Sequence, residues 1–475
     1  MRHNFDEIIN RRVSECKKYE AACYPEDVLP MWIADTDFAV PAEISEAIQQ
    51  RAKHPCFGYP IESFEFEEAA ARWERVRFGW NVDPHWVKYA NGVLPFLMYA
   101  IRAYSYPGDK VVIQPPVYPP FSAIVRNNGR QLLENLNHVL AGRELDYLLI
   151  NHLEPDHAAC IEEILLRHPK VKVISNEKAF MLMRQFGFHV DDHECIEVKE
   201  GDTFSFGKHT VTFVGAPMVH WPEAMVTFDL TDGVLFSADA FGTFGALDGK
   251  LFADEVDFER DWLDDARRYL TNIVGKYGPH IQLLLKKAGG ILDQIKYICP
   301  LHGPVWRENL GWFIGKYDTW SRYAPEEKGV LIVYASMYGN TENAAQALAA
   351  RLCDKGMSRV ALYDVSSTHV SQLISEAFKY SHIVLASVTY NLGIYPAMHD
   401  FLMDMKALNL QNRTFALIEN GSWAVKSGDL MQKFVNDELK NMTVLNERLS
   451  LASSLGEDKA VELETLADAI LESVQ

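Results

Sequence analysis

Short apolar runs closed by polar residues recur along the chain and alternate with stretches that read as helices. Helices are expected at residues 41–54, 64–78 and 94–104, with a short strand at 86–90. From residue 147 onward the runs shorten. Residues 147–150, 211–220, 234–239 and 297–301 each read as a buried strand that ends in a potential metal ligand, and 158–167 reads as a helix. After Pro325-Glu326-Glu327-Lys328, read as a hinge, the pattern becomes a plain parallel α/β unit. Its strands are expected at 330–335, 383–387 and 415–418, with a helix at 342–352.

The polar ends of these runs carry the chemistry. The string NHLEPDH (151–157) places four metal-binding side chains within six positions at the end of a strand. His152, Glu154 and Asp156 alternate, so an extended backbone projects them to one side, and His157 turns back from the start of the next helix. A solvated turn with a helix cap is the plainer reading, but four potential ligands in this order outweigh it. His220, Asp239 and His302 each close a later run, which is how sites on sheet scaffolds are assembled. The spacing suits two adjacent metals better than one.

The last third carries a second constellation. Ser336, Asn340 and Thr341 surround Gly339 at the start of a helix, where amides and hydroxyls bind a phosphate without a basic side chain. There is no Gly-Lys-Ser/Thr, so this is not a nucleotide-triphosphate loop of the Walker type. Two further strand ends, Ser387 into 388–393 and 415–418 into 419–423, complete the crevice in which open α/β sheets bind ligands. Trp423 fits either that crevice or core packing.

Length and composition narrow the field. The 475 residues suggest about three domains, and 48% hydrophobic content supplies ample cores. A net charge of −19 argues against nucleic acid or an anionic membrane surface as partner. No apolar run approaches a membrane span, and the N-terminus lacks the apolar core of a signal peptide. Seven scattered cysteines without a Cys-x-x-Cys pair point to a reduced, cytoplasmic protein.

The strings NHLEPDH, APMVHW, FSADAFG and CPLHGP resemble those of the flavodiiron proteins, and the three loops at 336–341, 387–393 and 419–423 resemble the phosphate and isoalloxazine loops of flavodoxins. The resemblance implies an α/β multidomain chain. Its parts would be a metallo-β-lactamase-like αββα domain at 138–325 and a flavodoxin-like doubly wound parallel sheet at 326–475. It implies two non-haem irons, one held by His152, Glu154 and His220 and the other by Asp156, His157 and His302, with Asp239 bridging. Related zinc hydrolases usually carry a histidine where Glu154 stands, and a hard carboxylate there favours iron. FMN is implied, with Ser336, Met337, Tyr338, Gly339, Asn340 and Thr341 at its phosphate. Ser387, Thr389, Tyr390, Asn391, Gly393, Asn420, Gly421 and Trp423 would surround its ring. The implied activity passes electrons from an external donor (rubredoxin, a reductase or reduced flavin) through FMN to the iron pair, which reduces dioxygen to water or nitric oxide to nitrous oxide. A head-to-tail homodimer or higher assembly is implied as well. The alternatives are a zinc hydrolase fused to a flavodoxin, and an electron carrier with an inactive metal domain.

Residues 1–137 differ. VLPMWIADTDF, FGYP, NGVLPFLMYAI and GDKVVIQPPVYPPF resemble the N-terminal part of pyridoxal-phosphate-dependent cystathionine β-lyases. By that resemblance Tyr118 stacks on the cofactor, Gly92 and Val93 lie near its phosphate, and Tyr59 reaches a neighbouring subunit. It stops near Asn137, before the Schiff-base lysine, so no C–S lyase activity is expected. The strands that precede NHLEPDH in flavodiiron proteins are missing, which should leave one layer of the metal domain uncovered. The chain reads as a fusion of two incomplete genes or as a misassembled one.

Overall fold

The computed structural model describes residues 7–11, 16–19, 30, 35–57, 64–104, 136–245, 247 and 249–474. It divides into one unit over Met1–Val93 and another over Leu94–Gln475. In the first, helices form at Ala42–Ala52 and Glu65–Phe78, the latter with acids in its first turn and Gly79 closing it at φ 71°. These helices bury little: Ala71 in the second and no residue in the first. The strand expected at 86–90 does not form. Asp83 accepts a hydrogen bond from the His85 amide and Pro84 opens a 3-10 turn, Pro84–Trp86, so the chain turns where it was expected to extend.

The second unit begins its sheets with three parallel strands in the order β1-β2-β3, namely β1 (Tyr147–Leu149), β2 (Lys172–Ser175) and β3 (Cys195–Glu197). A five-stranded sheet follows: β4 (Thr203–Phe206), β5 (His209–Gly215), β6 (Met225–Asp229), β7 (Val234–Phe236) and β8 (Tyr297–Cys299). Its neighbours are antiparallel except β7 and β8. Alternation along the strands decides which face packs where. Ile174, Phe213 and Met225 meet between the two sheets. Val173 turns outward onto Leu165, Phe180 and Met183 of flanking helices. Val226, Phe228 and Ile298 turn the other way onto Phe313, Tyr317 and Trp320. The result is helices, sheet, sheet, helices.

All four layers therefore remain. The expectation of an uncovered layer is corrected: among the described residues the first sheet is three strands wide, with β1 at its edge. Beside that edge an apolar cleft of about 700 Å³ opens between the sheets, walled by Tyr147, Leu149, Phe206 and Val211 and reaching His152 and His157.

From Glu327 a second parallel sheet forms from β9 (Glu327–Ala335), β10 (Val360–Asp364), β11 (Tyr380–Tyr390), β13 (Thr414–Asn420) and β14 (Thr443–Leu451). The order β10-β9-β11-β13-β14 is that of a flavodoxin-like doubly wound sheet. A two-residue strand, β12 (Gly393–Ile394), folds back on β11. Apolar residues of β9 alternate between two helical layers, Leu331 and Val333 on one side, Val330 and Ile332 on the other.

The segment read as a hinge is fixed. Glu326 accepts from Arg267 Nε (2.6 Å), Lys316 Nζ (2.6 Å) and Trp320 Nε1 (3.0 Å), and Arg267 is itself 1% exposed. Arg413, also buried, donates to the carbonyls of Tyr323, Ala377 and Phe378. Removing one member of such a buried pair costs about 3–5 kcal/mol, so residues 325–328 are a joint that resists bending.

Candidate metal centre and flavin crevice

Seven ligand-type side chains converge where β1, β7 and β8 end. Glu154 is the last extended residue before Pro155, which opens the one-turn helix Pro155–Ala158 that carries Asp156 and His157. The expected extended run through Asp156 is thus corrected: proline at the first helical position turns the chain early. Strand β5 stops at Gly215, and His220 lies in the following turn rather than at a strand end. Strand β7 stops at Phe236. Asp239 sits in the next turn, where Ala240 N donates to Ser237 O and Gly242 N donates to Asp239 O. His302 follows β8, its carbonyl accepting from Thr243 N at 3.4 Å.

The two oxygens of Asp239 face two separate groups. Oδ2 lies 3.3 Å from His152 Nε2 and 3.0 Å from His220 Nε2, with Glu154 2.8 Å from His220. Oδ1 lies 3.5 Å from His157 Nε2 and 3.6 Å from His302 Nε2, with Asp156 within 3.5 Å of both imidazoles. Asp239 is fully buried, yet neither of its oxygens has a hydrogen-bond donor; nor do the buried Nε2 atoms of His152 and His157 have a partner. Burial raises the Asp239 carboxyl, but His152, His157 and His220 outweigh it and hold the group far below the carboxylate range. Burial lowers the His152 imidazole, and Asp239 and Glu223 reverse this, lifting it to about 9. The His220 imidazole is raised by Asp239 and Glu154 against the same penalty.

Two residues of this site escaped the sequence reading. Glu223 is 1% exposed; its Oε1 lies 2.7 Å from His152 Nδ1 and accepts from Leu153 N at 3.2 Å. That contact fixes the imidazole with Nε2 toward Asp239. Tyr269 ends the helix Leu263–Tyr269, its ring 5.4 Å from that of His302 and its buried hydroxyl without a partner. Burial and then the Asp239 charge push its phenol far up, so it stays protonated and can donate. In sequence Tyr269 reads as a core position of an amphipathic helix. The need of a ligating histidine for an acceptor at its second nitrogen was the available signal for a nearby acid such as Glu223.

The second constellation gathers at the carboxyl ends of the parallel strands. Register aligns Ala335 with Ser387, Val388 with Asn420, and Asn420 with Leu451. Gly339, at φ 84°, turns the chain into the helix Asn340–Asp354 and donates its amide to Ser336 Oγ at 3.1 Å. Thr341 is buried and accepts from Asn420 Nδ2 at 3.3 Å. Met337 and Tyr338 are exposed. The loop expected at 388–393 is instead a hairpin: Thr389 pairs with Ile394 and Tyr390 with Gly393, with Asn391 and Leu392 at φ 48° and 62° between them. Thr389 Oγ1 accepts from Lys426 N and Ser427 N, joining that hairpin to the third loop. At Gly421 an added Cβ would collide with the Ala424 carbonyl, and Trp423 is 80% exposed, which removes the core reading of that side chain. Ser453, not anticipated, closes the crevice by pairing with Asn420 and Ser422.

Residues 124–303 match the family described as ODP family beta lactamase, and residues 332–447 match Flavodoxin. The nitric oxide reductase of Moorella thermoacetica is 31% identical over 71% of this chain and 81% of its own length. The rubredoxin-oxygen oxidoreductase of Megalodesulfovibrio gigas is 31% identical over 66% of this chain and 78% of its own. The chain belongs to the flavodiiron proteins. The rubredoxin oxygen:oxidoreductase structure from Desulfovibrio gigas superposes with a TM-score of 0.66 at 28% identity, covering 72% of this chain and 84% of that one. The flavodiiron protein of Giardia intestinalis shares the fold, with a TM-score of 0.65 at 24% identity over 71% of this chain and 82% of its own.

The residues present fit the family's metals. Four buried polar atoms without partners point at one another, and a mixed imidazole and carboxylate set with one doubly facing carboxylate is chemistry for a pair of first-row metal ions. Of the pyridoxal-phosphate-type positions, Gly92, at φ 103°, and Val93 stand at the start of the helix Val93–Tyr104. Tyr59 and Tyr118 lie outside the described residues. Among the described residues no helix is long and apolar enough to cross a membrane.

Proposed function

We propose that this flavodiiron protein is an FMN- and di-iron-dependent oxidoreductase that reduces dioxygen to water, nitric oxide to nitrous oxide, or both. The observation that carries this reading is Asp239, whose two oxygens face two sets of three ligands each. In this reading His152, Glu154 and His220 would hold one iron and Asp156, His157 and His302 the other, with Asp239 shared between the two sets. When bound, the irons and FMN supply the redox chemistry: four electrons and four protons per dioxygen, or two of each per pair of nitric oxide molecules.

The chain's own groups do the rest. Glu223 holds the proton on His152 Nδ1 and keeps Nε2 free for the metal side. Tyr269 presents its unpaired hydroxyl beside His302, where it can donate a hydrogen bond to an oxygen gaining negative charge. Gly339, Ser336, Asn340 and Thr341 offer amides and hydroxyls to the FMN phosphate. Thr389, Tyr390, Asn391, Gly393, Gly421 and Trp423 wall its ring, with Ser387 and Asn420 behind them and Met337 and Tyr338 flanking the phosphate turn.

Domain boundaries near 137/138 and 325/326, a cytoplasmic setting and an external electron donor belong to the same reading; rubredoxin appears in the name of one relative. Exposure of Tyr338 (86%) and Trp423 (80%) supports a second subunit covering the flavin, as in a head-to-tail dimer. The test is iron, zinc and FMN per chain on anaerobically purified protein, followed by turnover with reduced rubredoxin and each gas. Two irons, one FMN and turnover are expected. Stoichiometric zinc with hydrolase activity and no gas turnover would overturn the reading.

A further inference from the structure

The metal domain holds a second cavity, lined by no metal-ligand candidate and by no flavin-loop residue. It lies on the helix-covered side of the five-stranded sheet and measures about 40 Å³. Val226, Phe228, Leu235 and Ile298 of β6, β7 and β8 form its floor, and Leu284 with Ile314 covers it from two helices. Ile291 and Leu292, the latter 37% exposed, also line it. So do Ser237 and Phe241, two residues to either side of Asp239.

Its walls offer nothing to water. Only two polar side chains border it, and both are engaged elsewhere. The Ser237 hydroxyl donates to Ala240 O at 2.7 Å, and Lys287 Nζ is held by Glu200 at 2.8 Å and Gly215 O at 3.0 Å. A buried water needs about two to four polar partners, so an apolar space of this kind stays dry and takes up apolar guests such as xenon. One water-sized sphere needs roughly 10–15 Å³, so this cavity has room for about three to four such spheres. That is room enough for a diatomic molecule.

We propose that this cavity is a binding site for an uncharged diatomic gas, the substrate class of the reaction proposed above, held one turn behind Asp239. The substrate role rests on that functional reading; the gas site itself does not. The lining is apolar, one of its residues, Leu292, is partly exposed, and two others, Ser237 and Phe241, flank Asp239 in the chain. A guest lodged here lies against Phe241 and Leu292.

The test uses crystals of the full holoprotein pressurised with xenon, together with gas kinetics in solution. Xenon is expected between Val226, Leu284 and Ile314, lost in Leu284→Phe and retained or increased in Leu284→Ala, which enlarges the space. Leu284→Phe should raise KM for the gas about threefold or more with kcat little changed, the signature of lost ground-state binding. Absence of xenon from the cavity in both the parent and Leu284→Ala overturns the site. Loss of xenon in Leu284→Phe with KM unaltered overturns its role in substrate supply. Xenon bound as expected in a protein that reduces neither gas supports the site and sinks the functional reading alone.

Discussion

Replacing Glu223 tests whether the metal centre depends on its outer support. The side chain makes two hydrogen bonds within the buried region, to His152 Nδ1 at 2.7 Å and from Leu153 N at 3.2 Å. In Glu223→Leu both donors lose their acceptor, at about 1–3 kcal/mol each. Part of that is returned, because Glu223 Oε2 is itself buried without a partner in the parent. The net cost to folding should fall near the lower end, about 2–3 kcal/mol. The His152 ring is then free to rotate or change tautomer, and loss of such an outer partner lowers metal affinity about 10–100-fold. The assay is iron per chain after equilibration against graded chelator, with FMN content reporting whether the rest of the chain is folded. Glu223→Leu should release iron at about 10–100-fold lower chelator concentration with FMN retained. Glu223→Gln keeps a carbonyl oxygen for His152 and should stay close to the parent. Iron held equally well in Glu223→Leu would refute the argument, and so would equal loss in the Gln and Leu variants, which would make charge the cause.

Three other outcomes are expected. Tyr269→Phe should keep both irons and lower kcat by about 10²-fold, the cost of one donor at a developing charge; an unchanged kcat would remove the hydroxyl from the reaction. Gly339→Trp, at φ 84°, should abolish FMN binding and leave iron in place, and retained flavin absorbance would move the phosphate to another loop. His382 is buried, which lowers its imidazole to about 4, so between pH 6.5 and 4 the unfolded chain binds a proton that the folded chain does not. Stability should therefore fall by up to about 3 kcal/mol as pH drops through that window and be unaffected by this group above it. A parent urea midpoint with the same pH dependence as His382→Gln would contradict this.

The ligands were legible because each is a polar interruption of an apolar run, and burial makes such interruptions costly unless they serve a site. What was misread is local geometry. Pro155 fixes a helical φ, so Asp156 and His157 ride a helix turn rather than an extended strand, a signal already present in Glu154-Pro155. Strand ends were placed too late at His220 and Asp239, because the apolar residues continue into turns that pack on the core: Val219 is 2% exposed and Ala238 3%. Strand β11 was read too short, because Thr389 and Tyr390 look like loop residues, yet the pairing of Thr389 with Ile394 extends it. Tyr269 was not legible, and for Glu223 only the need for some acid was, since their partners lie 33 and 71 residues away and the fold alone brings them together.

The hinge is the instructive error, since Pro-Glu-Glu-Lys has a linker's composition, while Glu326 is 4% exposed at its side chain and bound by three donors. The ligand loop is held in place although the cleft beside β1 is open. The sheet across the cleft holds it. Asn151 joins β1 to the facing sheet through three contacts: its carbonyl accepts from Met225 N at 3.0 Å, its Oδ1 from Thr227 Oγ1 at 2.7 Å, and its Nδ2 donates to Phe236 O at 3.4 Å. Ser175 Oγ donates to Ile150 O at 2.8 Å from the β2 side. Both Ile150 and Asn151 immediately precede His152, so the first ligand is positioned by hydrogen bonds from β2, β6 and β7 and by Glu223 behind its ring. None of these contacts comes from residues preceding β1. The candidate metal centre is anchored from its far side, and this accounts for seven ligand-type side chains keeping a two-set arrangement at the edge of a sheet that is three strands wide among the described residues.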